Sequence, residues 1–193
     1  MPLISILIPT LLSRRVQFNQ LMATLGPQLT SEVELISILD NRSMKLGEKR
    51  NTMMRACRGQ YLVHLDDDDL VRPNFIQEIV PAAQSGADVI AYDSAAYLEG
   101  AEPFTVRTSL KFENQQVTKG ADGKWTDITR KPWHWCAWRR DVAITAEFGN
   151  NNIDEDWSWL GQLVARPGLT ELKLDCVLHE YHFNSGSSEC QTP

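Results

Sequence analysis

Apolar residues come in short unbroken runs along the first half of the chain, and each run gives way to a stretch whose apolar positions recur every three or four residues. Leu3 to Thr10 (LISILIPT) is β-branched and apolar throughout, which suits a strand covered on both faces. Residues 14–26 follow with Phe18, Leu21, Met22, Leu25 and then Leu29 at helical spacing, and Gly26-Pro27 supplies the stop. Val33 to Asp40 predicts a second buried strand, and Gly47 to Gly59 a helix closed by Gly59. Tyr61 to Asp67 predicts a third strand. Arg72 to Gly86 predicts a helix with Pro73 in its first turn and a buried stripe of Phe75, Ile76, Ile79, Val80 and Ala83. Ala87 to Glu99 predicts a fourth strand. Strictly alternating strands and helices specify an α/β fold with a mostly parallel, doubly wound sheet and flanking helices. The second half is less regular. Residues 100–135, with the turn-like KGADGK, predict hairpins or an edge extension; 152–168 predict a helix with an acidic first turn; 170–184 predict a late strand. The Gly/Ser-rich segment 185–193 predicts a mobile tail.

Composition narrows the classes. A chain of 193 residues can bury a real core as one domain. The net charge of −6 argues against a large nucleic-acid footprint, although Lys45, Lys49 and Arg50 can form a local basic patch. Cys57, Cys136, Cys176 and Cys190 show no C-x-x-C pairing and read as unpaired thiols of a reducing compartment. No run has the length of a membrane span, and the N-terminus lacks the features of a signal peptide. The expectation is a soluble cytoplasmic protein with no membrane partner.

Ligands of doubly wound sheets lie outside the carboxyl ends of the strands. Three such ends here are polar: Pro9-Thr10, Asp40-Asn41 and the run Asp66 to Asp69. One aspartate suffices to cap the following helix, with Asp69 placed for that role. Four crowded carboxylates call for a cation, because they otherwise raise one another's pKa. All-oxygen donors select Mg²⁺ or Mn²⁺, and such ions complete their shells with water and substrate phosphates. GEKRN (Gly47 to Asn51) opens a helix with Lys49 and Arg50, a pattern suited to an anion or equally to a solvated basic turn. Asp154, Glu155 and Asp156 read either as a helix cap or as a site for a general base, with Trp157 and Trp159 as an apolar wall. His179 and His182 lie in the late strand, where a histidine is a structural residue unless the strand returns to the carboxylates. Trp133, Trp135 and Trp138 flank His134 as core packing or as a stacking platform for a sugar.

Taken in order, ISILIPT, ILDNRS, GEKRN, YLVHLDDDD, RPNFI and IDEDW resemble the family 2 glycosyltransferases of the GT-A fold. The resemblance runs through nearly the whole chain and is densest from Leu3 to Ile79. It implies a nucleoside-diphosphate sugar donor, whose diphosphate is held through Mn²⁺ or Mg²⁺ by a DxD motif. Pro9 and Thr10 would line the nucleoside pocket, Asp40 or Asn41 would meet the base, and Lys49, Arg50 and Asp67 would complete the donor site. Asp66 and Asp68 match the two acids of DxD, with Asp68 implied as the direct metal ligand and His182 as a late one. Glu155 and Asp156 match the family's Glu-Asp pair, whose aspartate is the catalytic base. Trp133, His134 and Trp157 are left for the acceptor. Residues 1–99 would form the nucleotide-sugar half of one domain, and 100–193 its acceptor-side half with the base helix and the tail.

Departures from the family pattern are LLSRR, where an aromatic-Asn-Arg is common, and Asp40-Asn41, where Asp-Asp is usual. The length suggests a minimal catalytic domain without anchor or acceptor module, like small phage and bacterial versions. The implied reaction is inverting transfer to the hydroxyl of a glycan, a protein or a hydroxylated nucleobase in DNA. A sugar-nucleotide-forming nucleotidyltransferase is the alternative, but PTLLSRRVQ lacks the glycine-rich loop it would need. A non-catalytic sugar-nucleotide binder is the other.

Overall fold

A computed structural model describes residues 1–113 and 115–184. The elements in chain order are β1 (Ile4–Leu11), α1 (Arg15–Leu25), β2 (Val33–Asp40), α2 (Leu46–Ala56), β3 (Tyr61–His64), β4 (Leu70–Val71), α3 (Phe75–Ala82), β5 (Val89–Leu98), β6 (Phe104–Thr108), β7 (Gln116–Lys119), β8 (Trp125–Arg130), β9 (Ala137–Arg139), α4 (Arg140–Ala143), α5 (Glu155–Val164) and β10 (Glu171–Phe183). The tail 185–193, with Cys190, lies outside the described residues. Cys57, Cys136 and Cys176 are free. Among the described residues no helix is long and apolar enough to cross a membrane.

All strands join one sheet, and β2, β1 and β3 pair in parallel as the alternation of elements requires. Every residue of β1 is buried, and Ile4, Ile6, Leu7 and Ile8 are completely so. Burying one such side chain stabilises the fold by roughly 2 kcal/mol. β2 differs from the expectation of a buried strand. Among the described residues it forms the sheet edge with β1 as its one neighbour, and Leu39 is half exposed. The fourth predicted strand, β5, does not lie against β3. The three-residue strand β9 runs antiparallel between them, setting Trp138 opposite Leu62 on one side and Val89 on the other. Residues 100–135 form both an edge extension and a hairpin: β6 adds to β5, and β7 and β8 pair across the Gly120–Gly123 turn.

β10 runs parallel to β5 from Glu171 to Phe183, with register shifts between Lys173 and His179. Where it passes β4 it sets His179 opposite Val71 and Glu180 opposite Leu70. β4 directly follows Asp69, so the late strand does return to the acidic run. Two local expectations change. α3 begins at Phe75, which leaves Pro73 ahead of its first turn. α2 ends at Ala56 and Cys57 is extended, so Gly59 does not close the helix. A Cβ on Gly59 would overlap Ser5 of β1, and its N–H donates to Ser5 Oγ at 2.8 Å. Close approach, not a cap, explains that glycine.

Candidate active site

α2 does not offer its N-terminus to an anion. Leu46 N–H donates to Asn152 Oδ1 at 2.9 Å, and Gly47 N–H donates to the Asn151 carbonyl at 3.1 Å. A Cβ on Gly47 would overlap the Gly149 carbonyl oxygen, so the glycine admits the loop ahead of α5. Nor is GEKRN a solvated turn, since Lys49 and Arg50 are 3% and 1% exposed. Lys49 ion-pairs with Asp40 and donates to the Thr10 carbonyl at 3.0 Å. Burial raises the Asp40 carboxyl, but Lys49 and the donors Met44 N–H and Ser43 Oγ–H outweigh it and hold it at about 2. Asn41 is exposed just beyond β2. Arg50 joins Asp66 Oδ1 at 2.6 Å to Glu155 Oε1 at 3.1 Å, and its guanidinium lies over the Phe148 ring at 5.5 Å.

The four aspartates have four different surroundings. Asp66 meets Arg50 and, at 3.4 Å, His134 Nε2. Burial pushes its carboxyl up, yet Arg50 and His134 prevail and keep it far below the usual range. Asp67 accepts from Thr10 Oγ1 at 2.7 Å and sits 2.8 Å from Arg14 Nε. Burial lifts it to about 6. Asp68 ion-pairs with the Arg14 guanidinium. Burial, with Asp69 and Asp66 adding like charge, lifts it to about 7. Asp69 is not a helix cap. Its Oδ2 lies 3.0 Å from His179 Nε2, and its Oδ1 accepts the His182 N–H at 3.1 Å, so it ties β10 to the acidic loop.

His179 is fully buried, with Ser94 Oγ 2.8 Å from Nδ1 and Trp135 stacked on the ring at 5.0 Å; it is a satisfied structural residue. His182 stacks on Tyr97 at 4.5 Å, with Nε2 3.3 Å from Glu180. A cavity of about 460 Å³ lies over the strand ends, lined by Pro9, Thr10, Arg14, Lys49, His182 and the run Asp66 to Asp68. Among the described residues no three potential metal ligands stand together. Asp68, a hard oxygen donor crowded by like charge and facing the cavity, nevertheless fits a divalent cation that takes its remaining ligands from phosphate and water.

Opposite the acidic run, Asp156 opens α5. Its Oδ2 accepts from Trp133 Nε1 at 2.7 Å and lies 3.4 Å from His134 Nδ1, and its Oδ1 accepts the Trp157 N–H at 2.9 Å. Burial raises the carboxyl, but His134, Arg50 and Trp133 more than offset it and keep it ionised. His134 thus spans Asp66 and Asp156. Burial and Arg50 draw its pKa down, while the two carboxylates outweigh them and raise it. Asp154 is no cap: its φ is +61° and its side chain makes no capping bond. The expected wall is half correct. Trp157 is 42% exposed and edge-on to Trp133 at 4.5 Å, whereas Trp159 is in the core against Phe148 and Trp138.

The sequence pattern that defines glycosyl transferase family 2 matches residues 29–145, more than half of the chain. The chain belongs to glycosyl transferase family 2. Its fold is also that of S. aureus TarS. Residues 1–349 of TarS in complex with UDP-GlcNAc superpose with a TM-score of 0.66 at 12% identity, covering 97% of this chain and 60% of that one. The same TarS segment with UDP gives 0.66 at 12%, covering 95% and 61%. A longer TarS structure gives 0.66 at 14%, covering 95% and 37%. The chain therefore spans about 60% or less of these structures, and at such identities the likeness is one of fold. No curated protein sequence matches the chain.

In this family 2 chain, the residues singled out from sequence fall into two groups. Pro9, Thr10, Lys49, Asp66, Asp67, Asp68 and His182 share the cavity, with Asp40 behind Lys49. Asp156, Trp133, His134 and Trp157 gather beside it, and Glu155 turns the other way, to Arg50. Trp135 and Trp138 belong to the core. Sequence reasoning missed Arg14, which was visible as a basic residue just past a polar strand end. It also missed the bridging place of His134 and the guanidinium of Arg130, 3.3 Å above the Trp133 ring.

Proposed function

We propose that this family 2 domain transfers a sugar from a nucleoside-diphosphate donor to an acceptor hydroxyl, with inversion and with help from a divalent cation. The observation that carries the reading is the continuous link from the cavity to the base. Asp66 to Asp68 line a cavity at the strand ends, and His134 connects Asp66 to Asp156. Both S. aureus TarS complexes, one with UDP-GlcNAc and one with UDP, share the fold.

In this reading Pro9, Thr10 and Lys49 border the nucleoside, with Asp40 and Asn41 toward the base. Asp68 would hold Mn²⁺ or Mg²⁺, with Asp66 and His182, which line the same cavity, as the further ligands proposed. The cation, when bound, neutralises the charge that develops on the leaving diphosphate. Arg50 holds Asp66 and Glu155 in place, so that Asp66 keeps its charge toward the donor. Asp156 is ionised and receives the proton of the attacking hydroxyl. Trp133 and His134 fix its carboxylate, and the exposed face of Trp157 beside them receives the acceptor. A single displacement with the base on the face opposite the leaving group inverts the anomeric carbon. Residues 1–99 supply the donor site, and the later half supplies the base, His182 and the acceptor side.

The test is donor turnover. A panel of nucleoside-diphosphate sugars, including UDP-GlcNAc, with candidate glycan, peptide and hydroxylated-DNA acceptors should show release of nucleoside diphosphate that needs Mn²⁺ or Mg²⁺. Absence of both binding and release with every donor, in either metal, rejects the reading.

A further inference from the structure

Of the cations near the strand ends, Lys49, Arg50 and Arg14 contact the carboxylates there, and they are not equivalent. Lys49 and Arg50 are almost completely buried and held at both ends, Lys49 between Asp40 and the Thr10 carbonyl, Arg50 between Asp66 and Glu155. Arg14 sits in the short turn after β1 and reaches back over the acidic loop. Its Nε lies 2.8 Å from Asp67 Oδ1, and its Nη2 pairs with Asp68 Oδ2. Its side chain retains 14% exposure and Asp68 retains 25%, and both line the cavity. Among the described residues, Arg14 is the cation paired with Asp68. The guanidinium therefore occupies the carboxylate that a divalent cation would need.

We infer that Arg14 is an exchangeable counter-ion: it holds Asp67 and Asp68 until ligands bind, and it passes to the donor diphosphate when a metal ion takes Asp68. The inference rests on the function proposed above. Its physical basis is charge. A metal ion arriving alone must displace Arg14 or sit beside it, and like charges repel. A diphosphate arriving with the metal offers the guanidinium a better partner, because phosphate oxygens accept the two parallel N–H groups of an arginine. Diphosphate binding thereby frees Asp68, and metal binding frees Arg14. Each ligand strengthens the other, and by linkage it does so by the same factor.

Two binding measurements without turnover test this: Mn²⁺ by the loss of its free-ion paramagnetic resonance signal, and UDP by calorimetry. In the parent, UDP should tighten Mn²⁺ binding by at least about tenfold, and Mn²⁺ should tighten UDP equally. Arg14→Gln should bind Mn²⁺ alone about tenfold more tightly than the parent, since a charge-assisted pair no longer competes. It should bind UDP more weakly in the presence of Mn²⁺, and the coupling factor should fall. Arg14→Lys keeps the charge but cannot span both aspartates, so its Mn²⁺ affinity should lie between the two; it decides the matter if the Gln variant does not fold. If the parent binds both ligands cooperatively while neither variant takes up Mn²⁺ alone more tightly, the inference is overturned and the proposed function stands. If UDP binds the parent with the same affinity with and without Mn²⁺, the inference and the cation's part in the proposed function are overturned, whereas sugar transfer itself stands or falls with the donor panel.

Discussion

At the scale of residues, Asp156 and Glu155 are neighbours with opposite tasks. Asp156 faces Trp133, His134 and Trp157, and Glu155 is buried against Arg50. A base acts on the chemical step and little on donor binding. Asp156→Asn keeps shape and can still meet Trp133, so it should bind nucleotide as the parent does yet transfer sugar at least ~10²-fold more slowly. Near-parental turnover in that variant would remove Asp156 from the reaction. Glu155→Gln should act differently, lowering the urea midpoint and slowing transfer less, because it weakens the buried support of Arg50. The acidic pair was legible in the sequence, since carboxylates opening a helix are a local pattern. The division of labour was not, because it depends on which face of α5 meets Arg50. His134 was legible only as a residue among tryptophans. Its place between two aspartates is a contact across the sheet that no local spacing encodes.

At the scale of elements, β1, α1, α2, α3, β5, α5 and β10 carry enough apolar positions to declare themselves, and β2 was placed by the same signal although it proved to be an edge strand. β9 is three residues long and carries no periodicity, yet it separates β5 from β3. The segment leading into β9 sets the His134 carbonyl on the His64 N–H at 3.0 Å, beside the start of the acidic run. The junction of α2 with the loop ahead of α5 was equally hidden, because Gly47 looks the same whether it admits a phosphate or a backbone. Gly47→Ala distinguishes these. It forces the new methyl against the Gly149 carbonyl and should cost roughly 1–3 kcal/mol, read as a lower urea midpoint. Unchanged stability would mean that the loop does not pack there.

The clasp of β2 to α2 has a pH signature. Asp40 is held at about 2 in the fold, against the ordinary carboxylate value of roughly 4 in the unfolded chain. A depressed folded pKa gives stability that is present above about 4 and is lost as pH falls through about 2. The parent should therefore exceed Asp40→Asn in stability near neutrality, and the gap should close between about pH 4 and 2. Urea midpoints of the two proteins across that range measure it, and a constant gap would show that the Asp40–Lys49 pair does not form.

At the scale of the whole molecule, the site exists because distant parts of one sheet meet. β1 and β3 bring Thr10 and the acidic run side by side, β10 returns to tie Asp69, and α5 brings Asp156 to His134. A ligand in the cavity touches residues from Pro9 to Phe183, so its binding should stabilise the fold as a unit. For a ligand that binds the folded chain alone, a concentration about a hundred times its Kd adds about 2.7 kcal/mol. In a chain of this size each kcal/mol raises Tm by roughly 2–4 °C, so saturating UDP with Mn²⁺ should raise it by roughly 5–10 °C. EDTA should remove most of that rise. Asp68→Ala should remove it as well without lowering the ligand-free Tm by much, because the partly exposed Asp68–Arg14 pair contributes little to the empty fold. A rise of equal size in EDTA, or one that survives in Asp68→Ala, would mean that the diphosphate is held without the cation, by Arg14 and the other groups that line the cavity.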